Sequence, residues 1–309
     1  MAATRMRFTG TGTGTYYIDL AKALSIQNRK LHRQKNIYTV YGGYFVDAAQ
    51  ANGTSRVDVA VAPNTWTVRR SINRAFAIWR KMIAKTISDS NGVKPGKYSD
   101  FKLFLNYGHG TTPLTPKDAN GNDLYATAPE WVYSALITED PALSEDASSS
   151  NAPGSNLEMG QPDQFNLQIV GPTVTAGPGD HTRIGVLQSW VDSRPQQHTS
   201  GDPILPAAAS TDPLANLFDA GDVQDDRIEL IDFYNDQAPY DESTMFGNAA
   251  AAAPQNNLMR VSTSVSTATQ HVAPVHGFEA VCGLVQIDVV RAEGAWEIVL
   301  DVESKGVKF

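Results

Sequence analysis

Three alternating glycines, Gly10, Gly12 and Gly14, lie in FTGTGTGTYYIDLAKALSIQNRKL (8–31), just ahead of a segment with helical spacing, as a phosphate-cradling turn would require. A G-x-G-x-x-G dinucleotide fingerprint would place its third glycine at position 15, which is Thr15, and only TRMRF precedes the run as a strand. No G-x-x-x-x-G-K-[ST] occurs, so the run reads as a pliant N-terminal arm rather than a nucleotide site. The histidines His32, His109, His181, His198, His271 and His276 are scattered; His271 and His276 flank Pro274, and no Cys or carboxylate set completes a zinc site. Asp222, Asp225 and Asp226 could offer oxygen ligands to calcium, but the D-x-D-x-D-G loop is missing, and the acidic run from Asp219 to Asp236 reads first as a solvated or interfacial surface. No G-x-S-x-G nucleophile motif occurs, and neither a catalytic residue nor a cofactor is expected.

The residues that stand out are cations. Residues 1–100 hold 16 of the 25 Lys/Arg but 5 of the 33 Asp/Glu, so a net charge of -8 hides a basic first third and an acidic remainder. Arg29, Lys30, Arg33 and Lys35 follow one predicted helix, and Arg69, Arg70, Arg74, Arg80 and Lys81 line another; these nine are the candidates to face a genome or a neighbouring subunit. Direct contact with phosphates would make binding steeply dependent on salt.

The elements that must carry these residues are mostly strands. NIYTVYGGYFVD and SRVDVAVAPNTWTV read as antiparallel partners around an Asn52-Gly53 turn, with Val57, Val59 and Val61 facing one side. Ile72, Phe76, Trp79, Ile83 and Ile87 follow a helical period and predict a helix near 69–88. Further strands are expected at 100–106, 130–140, 165–171, 183–192, 258–269, 279–290 and 296–304, with core positions including Phe76, Trp79, Val59, Leu103, Val132, Ile169, Val186 and Val285. The fold class is all-β: an antiparallel Greek-key jelly-roll sandwich, a single barrel with a helix insertion, with a double jelly roll as the alternative. Residues 1–35 form an arm and short helix, and 36–309 the main domain with long loops at 107–129, 141–164 and 193–257. Cys282, the one cysteine, excludes an intrachain disulfide and reads as a small buried apolar residue. No apolar run reaches the roughly 18 residues of a membrane span, no secretory signal pattern opens the chain, and maturation in a cytoplasm is expected.

The succession DLAKALSIQNRKLHRQKNIYTVYGGYFVD, VAPNTWTVRRSINRAFAIWRKM, GVLQSWVDSRPQ, NDQAPYD and GFEAVCGLVQIDV resembles the capsid (coat) proteins of small icosahedral single-stranded DNA viruses known mainly from environmental genomes. The similarity spans about residues 18–290, and its motifs are structural. It implies a viral major capsid protein of the virion, made in the host cytoplasm, that self-assembles into a homo-oligomeric shell around the genome. Its partners would be copies of itself, the genome through the basic first 100 positions, and other capsid proteins; the residues specify no membrane partner. Unlike coats that open on a long basic arm, residues 1–28 carry only Arg5, Arg7 and Lys22. The alternative function is a phage spike, fibre or lectin-like sandwich that takes a glycan or receptor at Trp131, Trp190 or Tyr240.

Overall fold

The computed structural model describes residues 3–47, 53–89, 95–124, 131–137, 164–177, 180–192, 258–292, 294–303 and 307–308. The elements in chain order are β1 (Ala3–Thr11), β2 (Gly14–Asp19), α1 (Leu20–Asn28), β3 (Asn36–Asp47), β4 (Thr54–Val61), α2 (Trp66–Asp89), a 3-10 turn (Tyr107–Gly110), β5 (Ala135–Ile137), β6 (Gln164–Gln168), β7 (Val174–Gly177) and β8 (Asp180–Gly185). They continue through α3 (Val186–Asp192), β9 (Met259–Thr267), β10 (Val272–Val275), β11 (Phe278–Val281), β12 (Leu284–Arg291), β13 (Ala295–Glu303) and β14 (Val307–Lys308).

Two mainly antiparallel sheets face each other. One runs β1-β13-β3-β10, with β11 and β14 also paired to β3, and the other runs β2-β12-β4-β9. Alternation along each strand turns Met6, Phe8, Phe45, Ile298 and Leu300 of the first sheet onto Ile18, Val57, Val59, Val285 and Ile287 of the second, and all are buried. Every pairing joins an early strand to a late one: β1 with β13, β2 with β12, β3 with β10 and β11, and β4 with β9. The chain is thereby doubled back on itself, and the midpoint of the doubling, between β4 and β9, carries α2, α3 and a third sheet, β5-β6-β8-β7.

This insertion packs on the sandwich through a second core. Val68 and Ile72 of α2, Leu103, Leu105, Ile169 and Leu187 meet Tyr17, Cys282 and Leu284 there, all buried. The helix predicted near 69–88 is α2, whose Val68 N–H is capped by Thr65 Oγ1 at 3.3 Å. Its second half leaves the core, so Phe76 and Trp79 are half-buried and Ile78 is 49% exposed.

Several expectations require correction. The pliant arm is instead two strands, and the glycines between them have mechanical reasons. A Cβ at Gly10 would lie 2.3 Å from the Trp296 ring, and Gly12 holds φ 71 as the chain leaves the first sheet for the second. β1 and β2 belong to the sandwich, so no boundary at 35 separates an arm from it, and the helix within 16–35 is confined to Leu20–Asn28. β3 and β4 are not partners: they lie in opposite sheets, and Asn52 is outside the described residues. The segment 183–192 is strand only to Gly185, where a Cβ would lie 2.3 Å from Gly171 O; Leu187 and Trp190, three apart, then suit a short helix. The expected strand 279–290 is two, broken at Cys282 (φ 59) and Gly283 (φ 68), where the chain again changes sheet. The stretch 100–106 is buried but makes only a single bridge, Phe104 to Gln168, and 130–140 contributes just Ala135–Ile137. Val132 is 68% exposed rather than core, because Trp131 beside it takes the inward direction.

The described part of the 107–129 loop straps the sandwich's own edge. Thr112 O accepts from Tyr17 N at 3.0 Å, Leu114 N donates to Tyr17 O at 2.7 Å, and Lys117 N donates to Arg7 O at 2.8 Å. The Tyr17 N–H and carbonyl and the Arg7 carbonyl, which β2 and β1 would otherwise offer to a foreign strand, are thus occupied. At the opposite corner inward-facing serines of β9 do similar work: Ser264 Oγ donates to Pro274 O at 2.6 Å, and Ser262 Oγ accepts from His276 N at 3.2 Å.

Candidate functional site

Where the insertion meets the sandwich, a buried polar hub forms around Asp19. Asp19 ends β2 and caps α1: Lys22 N–H donates to Oδ1 at 2.9 Å. Its Oδ2 accepts from Gln34 Nε2 at 2.7 Å, Trp131 Nε1 at 2.9 Å and Tyr133 Oη at 3.3 Å. Gln34 also accepts from Leu103 N at 2.6 Å, so one glutamine ties the α1–β3 connection to the insertion. Asp19→Ala would strand these donors without water, and a loss of about 2–3 kcal/mol in urea unfolding is the expected outcome. Burial lifts the Asp19 carboxyl above the usual carboxylate range, the donors opposing that shift.

His109 continues the hub. Its Nδ1 accepts from Leu105 N at 3.0 Å, which leaves the proton on Nε2, 3.4 Å from Tyr133 Oη, and its ring stacks on Tyr17 at 5.3 Å. Burial, with Arg183 and Lys22 nearby, pushes its pKa down to about 3, so the ring is neutral. Tyr17 is pushed up to about 12 by burial. Lys102 is buried too, with Nζ 4.7 Å from the Trp131 ring centre. The hub is a clasp of buried, hydrogen-bonded groups, and Tyr133 among Asp19, His109 and Tyr133 reaches an open cleft.

That cleft, about 610 Å³, lies between the outer half of α2 and the 96–100 and 132–135 segments, with Trp79, Lys97, Tyr98, Asp100 and Tyr133 in its wall. Two of the nine candidate cations adjoin it. Arg29 shares with Tyr98 a neighbouring hollow, and Arg33 Nη1 lies 3.5 Å from Asp100 Oδ1. Lys35 Nζ sits 3.8 Å from the centre of the Phe76 ring, and burial together with Arg80 and Lys308 lowers its pKa. The others stand apart from the cleft wall. Arg69 is tied to Asn64 Oδ1 at 2.6 Å, Arg74 lines a groove on another side of α2, and Lys30, Arg70 and Lys81 are exposed.

Comparison with protein-family models, curated proteins and solved structures finds no match to this chain. The geometry therefore carries the functional reading. Asp222, Asp225, Asp226 and Tyr240 lie outside the described residues, as do loops 141–163 and 193–257. Among the described residues no three His, Cys, Asp or Glu come together as a metal set, and His271 and His276 are exposed. Trp131 serves the hub, 9% exposed, and Trp190 stacks edge-on with Trp66 at 5.6 Å. Sequence reasoning missed Asp19, His109, Lys97, Tyr98 and Tyr133; only the Pro95-Gly96 turn ahead of Lys97 and Tyr98 hints at a presented loop.

Proposed function

We propose that the sandwich is a single jelly roll and the chain a major capsid subunit, assembling with copies of itself and other coat proteins into an icosahedral virion shell around a single-stranded DNA genome. The strand order carries this reading. A long antiparallel hairpin rolled into a barrel puts first strand beside last and each early strand beside its late counterpart, and the orders β1-β13-β3-β10 and β2-β12-β4-β9 have that form. Among the described residues the third sheet, four short strands with one parallel pair, β6 with β8, does not have the order of a second roll. A sandwich whose β1 and β2 edge is strapped by its own 112–117 segment suits side-by-side packing through loops, and the opposite charges of the two parts of the chain would register neighbours.

Light scattering and electron microscopy of purified protein test the proposal. Closed particles of uniform diameter are expected, dissociating as salt rises. A monodisperse monomer under all conditions of salt and concentration rejects it.

A further inference from the structure

Another groove lies within the insertion, between one face of the third sheet and the helices α2 and α3. Its floor follows from strand register: Phe165 and Leu167 alternate along β6, Leu136 of β5 stands opposite Phe165, and Ile184 of β8 stands opposite Leu167. All four therefore share one apolar face. Its roof follows from the helical period, which stacks Ser71, Ala75 and Ile78 along one side of α2. Ser71 Oγ donates to Val68 O at 2.9 Å, so its hydroxyl proton is taken up within the helix. Trp190 of α3 completes the wall.

The groove reaches inward from the surface. Leu167 and Leu136 line it while only 3% and 8% exposed, whereas Ile78 on its rim is 49% exposed. A floor so recessed admits a slender chain rather than the folded surface of a partner. At about 370 Å³ the space falls near the lower end of the roughly 300–1,000 Å³ typical of small-ligand sites. Its apolar walls forgo dispersion contacts until something fills them. Among the described residues Arg74 is the one charged group in the wall, exposed and so at the mouth, and no ion pair engages it. An apolar slot with a guanidinium at its opening complements an unbranched hydrocarbon chain that ends in a carboxylate, because the guanidinium fork meets both carboxylate oxygens.

We propose that this groove binds a free fatty acid of medium chain length, its chain laid along Leu136, Leu167 and Trp190 and its carboxylate on Arg74. The assignment is independent of the shell reading, because the named wall residues all belong to one subunit.

Isothermal titration calorimetry of the full chain with octanoate, decanoate and dodecanoate, each below its micelle concentration, tests the site. Affinity should rise roughly 4-fold per added methylene as hydrocarbon leaves water. Dodecanol should bind about 10-fold more weakly than dodecanoate, and Arg74→Gln should abolish that difference. Ala75→Leu, which fills the roof, and Ile78→Gln, on the rim, should each weaken dodecanoate about 5- to 20-fold. Ile78 is exposed, so its variant keeps the test decisive if Ala75→Leu does not fold. Val132→Gln, exposed in the wall of the other cleft, should leave binding unchanged. No binding of any chain, indifference to chain length, or binding that survives both groove substitutions overturns the site. Sedimentation with phosphatidylglycerol vesicles without binding of monomeric fatty acid overturns it in favour of a membrane surface. Self-association that Ile78→Gln abolishes, with no fatty acid bound, makes the groove a contact between copies and likewise rejects the proposal. Particle formation is scored separately: binding without particles keeps the site and rejects the coat, and particles without binding reject the site.

Discussion

Removing residues 1–11 should prevent the subunit from folding. β1 pairs with β13 along its whole length, from Ala3 opposite Glu303 to Thr11 opposite Ala295, and sends Met6 and Phe8 into the core. Truncating a buried Met or Phe alone typically costs about 2–5 kcal/mol, and the deletion also bares one side of β13 and unroofs Trp296, whose Nε1 donates to Gly12 O at 3.0 Å. Together these losses reach the whole stability of an ordinary domain, about 5–15 kcal/mol. Insoluble protein, or soluble protein without a cooperative thermal transition by circular dichroism, is expected. A cooperative melt near that of the full chain would show that β1 is the dispensable arm its glycines suggest.

Acid should destabilise the folded subunit through His109. The unfolded ring titrates near 6.5 and the folded ring near 3, so the unfolded chain binds the proton first. Its contribution is fully present above about pH 6.5 and is lost as pH falls toward 3, at about 1.4 kcal/mol per pH unit, or about 3 kcal/mol by pH 4. Asp19 works in the opposite sense: its raised carboxyl favours the folded state at low pH, and that advantage disappears as pH rises through its folded value. Urea unfolding of wild type and His109→Gln between pH 7 and 4 isolates the histidine. The variant should lose most of the slope, and parallel curves would refute the assignment.

The strongly periodic elements were legible in the sequence. α2 announced itself by Ile72, Phe76 and Trp79, and β4 by alternating Val57, Val59 and Val61, because in both one face meets a core. Pairing was not legible: NIYTVYGGYFVD and SRVDVAVAPNTWTV look like a hairpin, yet partner choice lay with strands about 200 to 260 residues later in sequence. β9 hid its orientation, since Ser262 and Ser264 face inward to bond β10 while Met259 and Val265 are exposed, the reverse of ordinary patterning. Of the nine candidate cations, Arg33 meets the cleft wall at Asp100 and Arg29 shares Tyr98 with the hollow beside it, a juxtaposition of which charge counting gave no sign. The hub was invisible because Asp19, His109 and Tyr133 are distant in sequence and single in type, and only tertiary contact makes them a unit.

The doubled-back chain also sets a clock on biosynthesis. Ala3 leaves the ribosome about 300 residues before its partner Glu303, a wait of about 15–60 s at about 5–20 residues per second. Throughout that interval β1 to β4 expose unpaired edges and apolar faces, while α2, a local structure, can already form. The nascent chain therefore carries its association-prone surface until the final strands emerge.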